Sequence, residues 1–209
     1  TLPETDAVCP IRVQIDKDIV TISLDTSGDG LNKRGYRSHM DKAPIRETLA
    51  AGLIMLSHYD PSRDIMIDPF CGTGTLLIEA GLIAKNIAPG LNRSFISEQW
   101  KAIKSSLWDT QRSDAKAQIN IDAPLEIFGS DINPKVLSIA RKNIQLAGLS
   151  DIHVQTLPVQ ELRSRHKKGK IITNPPYGLR MKSDEDIEQL YHDMGDVFLT
   201  HFPNWKYYI

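Results

Sequence analysis

The chain has 209 residues, 41% hydrophobic and 24% charged, with a formal net charge of -1, the proportions of one globular domain that buries a full core and lacks the basic surplus of a stand-alone nucleic-acid-binding face. No apolar run approaches the roughly 20 residues that cross a bilayer, and the start Thr1-Leu2-Pro3-Glu4 has no signal-peptide character. Two distant cysteines, Cys9 and Cys71, and six scattered histidines offer no disulfide framework or metal spacing, so a membrane protein and a zinc protein are set aside and a cytoplasmic, metal-free protein is expected.

In chain order, Ile11–Ile15 and Ile19–Leu24 alternate apolar and polar residues around Asp16-Lys17-Asp18, the pattern of a hairpin. Ala43-Pro44 opens a helix with Ile45, Leu49, Leu53 and Leu56 at helical spacing. From Asp64 strands and helices alternate: strand 65–67, helix 75–88 stopped by Pro89-Gly90, strand 125–129, helix 134–147 capped by Gly148, strand 152–156, strand 170–173, helix 184–202 and strand 205–209. That rhythm predicts an α/β fold, a mostly parallel doubly wound sheet with ligands beyond the carboxyl ends of its strands. Residues 91–124 interrupt it and read as a polar, helical flap with buried Trp100 and Trp108. The sequence begins without Met and its last strand has no following turn, so further chain is expected on both sides, including C-terminal strands of the sheet.

Three strand ends carry the chemistry. Asp68-Pro69-Phe70-Cys71-Gly72-Thr73-Gly74-Thr75 joins a strand to a helix, where bare backbone N–H groups and the helix dipole can receive an anion, either a phosphate or the carboxylate of an amino-acid ligand. Leu77 stands where a dinucleotide fingerprint needs its third glycine, and the Gly-Lys-Ser/Thr of a phosphate loop is missing. Asp131 ends the next strand and suits two ribose hydroxyls, with capping of the following helix as the plainer alternative. Asn174-Pro175-Pro176-Tyr177-Gly178 follows the fourth strand. Its prolines remove two N–H donors, leaving the Asn174 side-chain oxygen and the Pro175 carbonyl as acceptors beside an aromatic ring, a set that suits a planar base with an amino group. The basic clusters Lys33–Arg37 and Arg163–Lys168 are candidates to touch phosphates, the second reading first as a solvated loop.

Taken together, Asn32–Arg37, Ala43–Ala51, the 68–75 turn, Ser130–Asn133 and Asn174–Gly178, in this order, resemble the THUMP-containing bacterial 23S rRNA guanine-N2 methyltransferases, within the Asn-Pro-Pro-Tyr class of amino methyltransferases. The resemblance implies a Rossmann-like class I methyltransferase domain at 31–209 that uses S-adenosyl-L-methionine, and a hairpin and linker at 1–30 following an N-terminal THUMP RNA-binding domain. It assigns Ala43, Pro44, Asp68, Phe70, Cys71, Gly72, Gly74, Thr75, Asp131, Ile132, Val159 and Asn174 to the cofactor, and Asn174, Pro175 and Tyr177 to the target guanine of an RNA partner, 23S rRNA. Pro158 stands where many relatives carry an acidic residue toward the adenine. The rivals are a tRNA guanine-N2 enzyme, an adenine-N6 DNA methyltransferase, and a non-catalytic RNA-binding module with a vestigial cofactor pocket.

Overall fold

A computed structural model describes residues 7–37, 45–177 and 183–209, and they divide into two compact units. Gly178, Ala43 and Pro44 lie outside the described residues. Among the described residues no helix is long and apolar enough to cross a membrane.

The first unit combines the chain up to Gly35 with Ala88–Ile119. Strands β1 (Ile11–Asp16) and β2 (Ile19–Leu24) pair antiparallel from Ile11↔Leu24 to Asp16↔Ile19. Lys17 and Asp18, with φ of 46° and 62°, make the mirror-image turn that matches strand twist. Arg93 joins the segment after the hairpin to the insertion by donating to the carbonyls of Ser27, Asp29 and Gly30. Arg112 holds Glu98 at 2.7 Å and the Arg93 carbonyl at 2.8 Å. The helix of this unit, Ser105–Ala117, carries no buried residue. The tryptophans expected to be buried are only half-buried, Trp108 stacking on Phe95 at 5.3 Å and Trp100 donating to the Val8 carbonyl.

The second unit, Tyr36–Ile87 with Asn120–Ile209, is built on strands β3 (Met66–Asp68), β4 (Ile127–Asp131), β5 (His153–Thr156), β6 (Lys170–Ile172) and β7 (Lys206–Tyr208). All pairings are parallel and the order is β5-β4-β3-β6-β7, so the strand order reverses between β3 and β6. Successive residues face opposite sides of the sheet: Met66 and Ile172 join one buried cluster, Ile67 and Ile171 the other. Helices α1 (Glu47–Leu56), α2 (Thr75–Ala84) and α4 (Pro134–Leu146) supply the first cluster, with α3 denoting Ser105–Ala117 of the other unit. Helix α5 (Asp184–His201) supplies the second.

Helix α2 is buried at every position except Ile83, which matches its all-round apolar sequence. It ends at Ala84 and not at Ala88, because Asn86 takes a left-handed φ of 52° and the Ile87 amide reaches back to the Leu82 carbonyl, closing the helix one turn early. Gly148 closes α4 in the same way, as expected. Tyr36 donates to buried Glu79 at 3.0 Å, and buried Lys170 meets Asp64 at 2.8 Å at the amino end of β6.

Candidate active site

The carboxyl ends of β3, β4 and β6 converge where the strand order reverses, the place at which open α/β sheets bind ligands. Asp68 closes β3 and is 1% exposed. Its Oδ1 accepts from the Thr173 hydroxyl at 2.6 Å and from the Phe70 amide at 3.1 Å. Burial pushes its carboxyl up to about 7, against those two hydrogen bonds and with the Asp131 charge adding to the rise.

The glycine turn then lays its backbone across the ends of β3 and β4. The Cys71 amide donates to the Ser130 carbonyl at 2.9 Å, Gly72 donates to Asp131 Oδ2 at 3.1 Å, and Gly74 donates to the Cys71 carbonyl at 2.8 Å. The N–H groups expected to be bare are thus largely engaged in shaping the turn. Among the described residues the amides of Thr73, Thr75, Leu76 and Leu77, at the head of α2, show no hydrogen-bond acceptor. Gly74 caps this helix with φ 86°, a left-handed conformation that favours glycine. Gly129 in β4 is glycine for another reason: a Cβ there would meet Leu77 Cδ1 at 2.4 Å and Cys71 Sγ at 3.1 Å.

A cavity of about 60 Å³ lies over this turn, lined by Ile45, Asp68, Phe70, Cys71, Gly72, Thr73, Thr75, Leu76 and Asn174. Six assigned residues from two separate motifs therefore share one hollow. A Cβ on Gly72 would meet no atom within 4 Å, so the missing side chain leaves the hollow open. Burial pushes the Cys71 thiol well above its usual range, the Asp68 and Asp131 charges adding to it, which makes it packing and not a nucleophile.

Asp131 uses both carboxylate oxygens locally, Oδ1 accepting from Asn133 and Oδ2 from Gly72. The cap of α4 is Asn133, whose side chain accepts from Lys135 at 3.0 Å, so Asp131 is not the capping residue. Ile132 beside it is 72% exposed, whereas Val159 is packed in the second buried cluster with 3% exposure; only the backbone of Val159 can face a ligand. Asn174 is half-buried, Pro175 buried, and Tyr177 exposes 59% of its surface.

The sequence offers Arg37 only as one of a basic cluster that could touch phosphates. Its guanidinium donates to Thr75 Oγ1 at 2.9 Å and to the Ile45 carbonyl at 3.0 Å and lies 2.8 Å from Glu47, which fastens the start of α1 to the head of α2 beside the cavity. The signal was present in the Arg-Gly-Tyr-Arg segment, but its partner 38 residues away was not.

Residues 34–209 match the protein family described as "RMKL-like, methyltransferase domain". The chain is 43% identical over its full length to "Putative RNA methyltransferase YpsC" of Bacillus subtilis, covering 54% of that protein. It is 36% identical over 96% of its length to "Ribosomal RNA large subunit methyltransferase K/L" of Shewanella baltica, covering 29% of it. Among solved structures it matches a "predicted N6-adenine-specific DNA methylase" from Listeria monocytogenes with a TM-score of 0.92 and 44% identity, covering 99% of this chain and 54% of that one. It also matches "a putative methyltransferase complexed with SAH" with a TM-score of 0.90 and 37% identity, covering 98% and 53%. The chain spans about half the length, or less, of these proteins.

Proposed function

This chain belongs to the RMKL-like methyltransferase-domain family, and on that footing we propose that it moves a methyl group from S-adenosyl-L-methionine to the exocyclic N2 amine of a guanine in RNA, with 23S ribosomal RNA as the substrate. The observation that carries this reading is the single hollow shared by the glycine turn and Asn174. The sequences at its two sides have opposite polarity, donors at the head of α2 and acceptors after β6.

The cofactor fits what these residues offer. The amides of Thr73, Thr75 and Leu76, with the dipole of α2 behind them, receive a carboxylate. Asp131 has acceptor capacity left after its two backbone bonds and takes the ribose hydroxyls. Exposed Ile132 offers apolar surface to the adenine, and Ala43 and Pro44 remain assigned to the same pocket by resemblance. Bound there, S-adenosylmethionine supplies a methyl group on a sulfonium leaving group, so the chain's own work is placement and electrostatic fit.

Asn174 and the Pro175 carbonyl accept hydrogen bonds from the amine, which favours a pyramidal nitrogen with its lone pair turned toward the methyl carbon. Asn174 and Pro175 would thereby hold the amine in line for the methyl group that the cofactor supplies, and the proton displaced from nitrogen would leave to water. Tyr177 stacks on the base. RNA capture falls to a THUMP domain outside these residues, with residues 1–30 as the linker and 31–209 as the catalytic domain.

The RNA substrate is supported by the names of the two curated relatives. The Listeria protein's name favours a second reading, methylation of adenine N6 in DNA at the same site. Transfer of labelled methyl to unmodified ribosomal RNA, transfer RNA and DNA, followed by nucleoside analysis, separates them. Label in N2-methylguanosine of ribosomal RNA is expected; label only in DNA N6-methyladenine would move the assignment to the second reading.

A further inference from the structure

On the α5 side of the sheet, away from the cavity just described, a second cleft of about 190 Å³ lies between β3, β4 and β5 and the loop before β6. It shares no lining residue with the first. Ile67, Phe128 and Ser130 form its floor, and Gln155, Arg163 and Arg165 form its rim. Engineered cavities of about 150 Å³ lined by apolar residues take up a benzene ring, so the cleft has the volume for a nucleobase ring.

Two independent features distinguish it from a packing defect. The Ser130 hydroxyl belongs to a residue only 1% exposed and has no hydrogen-bond partner, a condition that costs stability unless something else satisfies it. The rim is cationic: Arg163-Ser164-Arg165-His166-Lys167-Lys168 contains four cations and no acid, and none of the four is in an ion pair among the described residues. The loop is also held in place. The Trp205 indole donates to the His166 carbonyl, the His166 amide donates to Ser164 Oγ, and Arg163 is turned by bonds to the Gln160 and Leu162 carbonyls. A fixed cationic loop over an apolar slot with one unsatisfied hydroxyl is the arrangement that takes a base with its phosphate.

We propose that this cleft is a second nucleotide site, in which one unpaired base of the RNA strand enters beside Ser130 and Phe128 while Arg163 and Arg165 hold the adjoining phosphate. The inference rests on RNA being the substrate. It favours phosphate contact over a solvated loop for Arg163–Lys168 and gives a catalytic domain of net charge -1 a localised grip on the strand outside the target-base pocket.

The test is fluorescence anisotropy of a labelled single-stranded oligoribonucleotide of mixed sequence with the chain and three variants, with S-adenosylhomocysteine affinity measured alongside. Arg163→Glu/Arg165→Glu should weaken RNA binding tenfold or more and flatten its salt dependence by about 0.7 in log–log slope for each phosphate no longer neutralised. Gln155→Trp, which plugs the mouth from an exposed position, and Ser130→Ala, which removes only the unpartnered hydroxyl, should each weaken binding severalfold with the slope unchanged. Unaltered RNA affinity in the double variant overturns the phosphate grip, and unaltered affinity in both cleft variants overturns the base site, leaving a water-filled cleft. S-adenosylhomocysteine affinity should be the same throughout. RNA binding that follows these variants in a chain with no affinity for S-adenosylhomocysteine would overturn the methyltransferase reading and not this one.

Discussion

The turns after β3 and β6 leave adjacent strands at the same edge of the sheet, yet they are chemically opposed. The turn after β3 is rich in glycine and folds its own amides onto neighbours, Cys71 onto Ser130 and Gly72 onto Asp131, so that what remains outward is the unpaired head of α2. The turn after β6 is rich in proline, which removes the N–H donors of residues 175 and 176 and leaves their carbonyls as acceptors. Residues of the glycine turn and Asn174 line a single hollow. Under the proposed function, the difference teaches that backbone composition, more than charged side chains, would divide the two substrates between the two turns.

If that division is right, damage on the proline side should appear as lost rate and damage on the glycine side as lost cofactor affinity. The largest effect is expected for Asn174→Ala: methyl transfer falls by about 10²–10³, the usual loss on removing one preorganised hydrogen-bonding group, while equilibrium dialysis finds cofactor affinity nearly unchanged. Parallel loss of both would erase the distinction. Asp131→Ala should weaken cofactor binding about tenfold to a hundredfold, from the roughly 1.5–3 kcal/mol of charge-assisted hydrogen bonds, and calorimetric titration that finds no change would leave Asp131 as a brace for Gly72 alone. Tyr177→Ala should raise the RNA KM about tenfold, since base stacking contributes about 1–3 kcal/mol, with kcat less affected; a pure kcat loss would place Tyr177 at the reacting amine.

The smallest effect concerns Asp68. Its carboxyl lies near 7 when folded and near 3.8 otherwise, so below about pH 4 both states are protonated and Asp68 brings no penalty. Between those two values only the folded state keeps the proton, and stability falls as pH rises through that window, levelling above it. Asp68→Asn, which keeps acceptors for Thr173 and Phe70, should therefore raise Tm by several degrees at about pH 8 and change it little at about pH 4. Equal shifts at both pH values would mean that Asp68 ionises normally in the folded protein.

The parallel sheet and the places of its motifs were legible because each strand is a short apolar run and each motif follows one directly. Met66-Ile67 and Ile171-Ile172 carry no alternation, as strands buried on both faces do not. What escaped reading depends on distant partners. Nothing local to Arg93 announces that it will bind carbonyls more than 60 residues earlier and join the chain's opening segment to the insertion. The early end of α2 turned on Asn86 adopting a left-handed φ, where Pro89-Gly90 looked the stronger stop. Val159 was placed at the ligand by the family resemblance, whereas the short turn it begins carries its side chain into the packing with α5.

The Thr173 hydroxyl and the Asp68 carboxylate, 2.6 Å apart, tie the residue before Asn174 to the residue that opens the glycine turn. If the proposed roles of the two turns hold, that bond would link them thermodynamically: any tightening that a bound cofactor imposed on Asp68 would be felt at the turn after β6, and RNA bound there would return the same factor in cofactor affinity. The enzyme's two substrates would then be heterotropic effectors of one another through one side-chain contact.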